Sequence, residues 1–204
     1  MDRGKLKKFL AILILILTFQ TSSWADDIRD LEIEGMSIGD SLLDYISEEK
    51  IKSEIEYNKI DYQYLKNKDK FGEVYIFNDE NFKTYEKISF FVKTDDKNYI
   101  IYFIRGIINY VEDIDGCLNK QKKIEKEIVK ILPKFYRRES NFKSQRDPSG
   151  RSTFNQVIFD FKTGDNIVIS CSNWEESLRK KYNWSEGRSI AIQTKEYTDW
   201  LLDY

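Results

Sequence analysis

The chain has 204 residues, with 33 Lys and Arg against 35 Asp and Glu, a formal net charge of −2 and no histidine. That length suits one domain. Without an imidazole, His-based catalytic triads, His-ligated metal sites and histidine pH switches are excluded, and two cysteines are too few for a closed four-cysteine zinc site.

Arg3, Lys5, Lys7 and Lys8 precede the uncharged run FLAILILILTF at residues 9–19, and Ser23-Trp24-Ala25 offers small residues where a signal peptidase needs them. This three-part pattern predicts a secretory signal peptide over residues 1–25, cleaved before Asp26, and a single α+β domain over 26–204. The apolar run is well short of the roughly 20 residues that span a bilayer, and the later run at 99–111 is interrupted by Arg105 and Asn109. The expected product is periplasmic or secreted and not an integral membrane protein. Losing four cations and Asp2 takes its net charge from −2 to −5.

Along the mature chain, residues 26–34 read as an acidic lead-in, and 35–55 as one or two short helices with Ser37 and Ser47 as N-caps. A solvated loop at 66–70 leads to strands at 73–77, 87–93 and 99–111, the last two joined by the polar turn at 94–97. A helix over 115–132 carries Cys117, Gln121, Ile124, Ile128 and Leu132 at helical spacing and stops at Pro133. A long loop containing Asp147-Pro148-Ser149-Gly150 then precedes strands at 156–162 and 166–174, with a tight turn at Thr163-Gly164. A strand at 189–193 and a helix at 195–202 end the chain. The pattern predicts an antiparallel sheet of about five to six strands with one long helix on one face, the short N-terminal helices covering part of the other.

Export implies an oxidising compartment, where an even pair of cysteines is expected to bond. Cys117 lies on the inward stripe of the long helix, and Cys171 shares a strand face with Ile167 and Ile169. A Cys117–Cys171 disulfide is therefore expected, closing a loop of about 53 residues and contributing ~4 kcal/mol on the loop-entropy model. Two buried free thiols are the alternative.

Chemistry-bearing motifs are sparse. Ser47-Glu48-Glu49-Lys50 and Lys162-Thr163-Gly164 match fragments of the penicillin-recognising pattern, but three S-x-x-K matches in a chain so rich in Ser and Lys carry no signal. Asp113-Ile114-Asp115-Gly116 echoes a calcium loop whose first and twelfth positions, Val111 and Lys122, are wrong for ligands. No metal or cofactor is expected. Charge distribution is more informative: residues 117–151 hold eleven Lys and Arg against four Asp and Glu, a net of +7 in an otherwise acidic chain. Lys130, Lys134, Arg137, Arg138, Lys143, Arg146 and Arg151 are the candidate anion-binding residues. Tyr182 and Trp184, in a segment read as a loop, are candidate aromatic contacts.

Three stretches carry a resemblance: Asp30 to Leu43 (DLEIEGMSIGDSLL), Asp160 to Asp165 (DFKTGD) and Thr194 to Leu201 (TKEYTDWL). They resemble an uncharacterised family of small exported proteins from low-GC marine alphaproteobacteria, which implies export and one domain but no catalytic residue. The resulting expectation is a non-catalytic binding or interaction module for an anionic envelope component, a lipid or glycan, or for another envelope protein. Nucleic acid is disfavoured by export and acidity. The competing expectation is a carboxylate-dependent envelope glycan hydrolase, which needs two carboxylates about 5–10 Å apart.

Overall fold

The computed structural model describes residues 28–203 except 78, 79, 81 and 133. The expected signal peptide and the helix-stopping Pro133 lie outside the described residues. The fold is α+β, with a seven-stranded antiparallel sheet ordered β3-β4-β5-β9-β8-β7-β6 and a separate two-stranded hairpin. The sheet strands are β3 (Phe71–Phe77), β4 (Lys87–Lys93), β5 (Ile101–Asn109), β6 (Tyr136–Lys143), β7 (Thr153–Asp160), β8 (Asn166–Asn173) and β9 (Gly187–Gln193). The helices are α1 (Glu48–Asn58), α2 (Ile114–Ile131), α3 (Glu176–Tyr182) and α4 (Lys195–Leu202).

The hairpin, β1 (Glu32–Ile33) with β2 (Met36–Ser37), occupies sequence expected to be acidic lead-in and helix. Glu34 and Gly35 both have positive φ, 52° and 79°, the signature of a two-residue turn that matches strand twist. The turn is tied down because the Glu34 carboxylate accepts from the backbone N–H groups of Lys83, Thr84 and Tyr85. Helix α1 begins where expected, the Ser47 hydroxyl accepting from the Lys50 N–H.

Both long helices lie on one face of the sheet, which corrects the expectation that the N-terminal helices cover the other. Ile51 of α1 and Ile124 and Ile128 of α2 join one core with Val74, Ile88, Phe90, Ile104, Phe159, Ile167, Ile169 and Ile192. Gly72 allows α1 to sit this close: a Cβ there would meet Ile55 at 2.6 Å. On α2 the predicted stripe is inward. Gln121 donates to the backbone oxygens of Asn155 and Ile169, at 3.0 and 2.8 Å, so its buried amide ties helix to sheet. The expected Cys117–Cys171 disulfide is formed, with both cysteines fully buried and their Cα atoms 6.0 Å apart.

The sheet has seven strands rather than the expected five to six, because the segment expected to be loop before residue 147 contains β6. Its sequence, YRRESNFK, shows no apolar alternation, since as an edge strand it is largely exposed on both faces and is held by its backbone pairing to β7. Helix α3 was likewise read as loop. It is a seven-residue helix capped by the Glu175 carboxylate, with Asn183 in the left-handed region at its end.

Candidate functional site

The sheet face opposite α1 and α2 is only partly covered. At one end α4 and the segment around Tyr62 and Leu65 close it, packing Tyr197 and Trp200 onto Phe71, Phe91 and Phe103. At the other end stand Trp174, Trp184 and Phe154. Between them runs a groove of about 650 Å³, within the ~300–1,000 Å³ range of ligand sites.

Register explains the groove. Alternation puts Gly187, Ser189 and Ala191 of β9 on this face, and beside them Val168, Ser170 and Ser172 of β8. The central strands thus present short side chains while the flanking strands present long ones. One rung across the sheet reads Tyr75–Ser89–Arg105–Ala191–Val168–Ile158–Arg138, a small aliphatic floor between two arginines. The next reads Phe77–Lys87–Ile107–Ser189–Ser170–Gln156–Ser140, whose floor is hydroxyl and amide.

A polar cluster sits at the β3–β5 wall. Glu73, only 2% exposed, accepts from the Tyr62 hydroxyl at 2.6 Å and pairs with Arg105 Nη2 at 3.4 Å. Arg105 also donates from Nε to Ser89 Oγ at 3.2 Å and from Nη2 to the Tyr75 hydroxyl at 3.3 Å. Its guanidinium is held firmly protonated: burial opposes the charge, but Tyr75 and Glu73 outweigh it. Burial, then the negative Glu73, raises the Tyr62 phenol. Lys87 lies one rung away with its Nζ 4.1 Å from the Tyr75 ring centroid and 4.8 Å from that of Phe77. It has no carboxylate partner among the described residues, and burial, then the positive Arg105, pushes its ammonium below the usual lysine range. Lys87 thus stands beside Arg105 with no ion-pair partner of its own among the described residues, Glu73 and Glu54 acting on it only from a distance.

The sequence-predicted basic residues do not form one patch. Arg137 points to the helix side, bonding Glu125 at 2.5 Å and Glu139 at 2.6 Å. Arg138 points to the groove and bonds Asp160 at 2.6 Å. Arg151 is engaged by Glu175 at 2.9 Å. Arg146 lines the groove, exposed and without an ion pair among the described residues. Lys130 is exposed on α2, Lys143 shares the helix side of β6 with Arg137, and Lys134 is exposed just before β6. Of the two aromatic candidates, Trp184 lines the groove but is in ring contact with Trp174, centroids 4.2 Å apart, and with the stacked Tyr182, centroids 4.7 Å apart. Tyr182 is half exposed at the end of this ladder.

Sequence reasoning missed Lys87, Arg105, Ser170 and Ser189. The available signal was Arg105 itself, a cation in the middle of an apolar strand, which a purely structural strand has no use for. Among the described residues no group of three or more His, Cys, Asp or Glu could hold a metal ion, and no helix is long and apolar enough to cross a membrane. No protein-family model matches this chain, and neither a curated protein nor a solved structure matches it.

Proposed function

We propose that this is an exported binding module whose ligand is an anionic component of the cell envelope, held in the groove opposite the long helices. The observation that carries the reading is the meeting of Lys87 and Arg105 at one groove wall, where Arg105 is ion-paired with Glu73 and Lys87 has no carboxylate of the described residues within ion-pair distance. An anionic group entering the groove supplies the missing counter-charge, and it does so where water is partly excluded and the interaction is strengthened. Arg146, which has no ion pair among the described residues, adds positive charge at the far side of the groove, where Arg138 is already paired with Asp160. The buried disulfide supports export, since such bonds persist in oxidising compartments.

The test is co-sedimentation of the oxidised protein with outer-membrane fragments, peptidoglycan and anionic vesicles at low and high salt. Binding to one of these should be salt-sensitive, lost in Lys87→Gln and retained in Lys122→Gln/Lys126→Gln on the exposed side of α2. Absence of binding at low salt, or loss only in the helix variant, contradicts the assignment.

A further inference from the structure

The groove carries cations at both ends and unused hydrogen-bonding side chains between them. Lys87 and Arg105 stand on β4 and β5, whereas Arg138 stands on β6 and Arg146 in the turn that follows it. From β5 to β6 is four strand spacings, about 19 Å between backbones, so the ligand must be elongated to meet both sides. Along that path the aliphatic rung of Ala191, Val168 and Ile158 runs beside the polar rung of Ser189, Ser170 and Gln156. Ser170 is only 8% exposed, yet its hydroxyl bonds no described residue, nor do the side chains of Ser189 and Gln156. An acyl chain lying here would displace water and leave these groups unpaired, at a cost in affinity. A sugar ring offers both a C–H face for the aliphatic rung and a hydroxyl edge for the polar one.

We infer that the groove takes an elongated ligand, anionic at both ends and hydroxylated along its length: an acidic oligosaccharide. This rests on the anion-binding reading above and narrows it. One terminal acid group meets Lys87 and Arg105, the other meets Arg146 just past the Lys143 end of β6, and the intervening hydroxyls meet Ser170, Ser189 and Gln156.

The experiment is calorimetric titration of the oxidised protein with galacturonate, its α-1,4-linked trimer, a neutral glucose trimer and a linear α,ω-dicarboxylate of matching span. The acidic trimer should bind at least about tenfold more tightly than each of the others. Lys87→Gln should weaken both galacturonate ligands, Arg146→Gln and Ser170→Ala only the trimer, with circular dichroism showing each variant folded. Equal affinity for monomer and trimer, or for dicarboxylate and trimer, overturns the oligosaccharide assignment. In that event continued sensitivity to Lys87→Gln keeps the anion-binding reading. Failure of every anion to bind overturns both.

Discussion

Arg137 and Arg138 are adjacent in the chain and serve opposite faces of the sheet, the first bonded to Glu125 of α2 and the second to Asp160 on the groove side. The pleat of β6 dictates this, because successive side chains of a strand point to opposite faces. The two positions should therefore differ in binding while both contribute an ion pair to stability. Arg137→Gln is expected to lower stability by ~0.5–1 kcal/mol in chemical denaturation, as for a partly exposed ion pair, and to leave anion affinity unchanged. Arg138→Gln, which breaks the comparable pair with Asp160, should cost a similar ~0.5–1 kcal/mol and in addition show a measurable loss in ligand titration.

The disulfide joins α2 to β8, so its loss removes a closed loop from the unfolded chain and raises that chain's conformational entropy. Replacing Cys117 and Cys171 together by Ala should cost ~3–5 kcal/mol, read from urea unfolding of the oxidised protein against the double variant. A reducing agent should produce the same loss in the wild type and none in the variant.

At Gly187 the groove floor has no room for a side chain. Its φ is 139°, and a Cβ there would lie 2.4 Å from the Tyr110 nitrogen and 2.5 Å from the Ile108 oxygen, both rigid backbone atoms. Gly187→Ala should destabilise by more than ~2 kcal/mol. Ser189→Ala, two residues along on the same face, should stay within ~0.5 kcal/mol of wild type.

The position of Lys87 fixes the sign of a pH effect. Its folded-state pKa lies below the ordinary lysine value, so as pH rises the ammonium of the folded protein deprotonates before that of the unfolded chain. In that window the unfolded state binds more protons, and this residue makes the apo protein more stable with rising pH. Anion affinity should fall over the same window, and Lys87→Gln should abolish that fall. By linkage, saturating anion should raise the Lys87 pKa, measurable by NMR of its side-chain methylene protons.

Much of the fold was legible from periodicity: β4, α4 and the inward stripe of α2 follow it closely, and the cysteine faces identified the disulfide partners. What was hidden has a common cause. Strand β6 buries neither face, so no apolar alternation marks it, and a stretch without alternation reads as a loop. That omission made Lys143, Arg137 and Arg138 look contiguous when the strand divides them. The groove was hidden for a related reason: small residues at alternate positions of β8 and β9 signify space only once register aligns them, and register is a tertiary property. Lys87, Glu73 and Arg105 come from three strands, and their meeting has no signature in local sequence.

The decisive question is which face of the sheet meets an anion. Backbone amide shifts of the isotope-labelled oxidised protein, titrated with the galacturonate trimer, map that face directly. The predicted perturbations cluster at Lys87, Arg105, Ser170, Ser189 and Ala191 and leave the exposed side of α2 unmoved. Perturbations confined to Lys122, Lys126 and Lys130 on that helix would contradict the account and assign the anion to the opposite face.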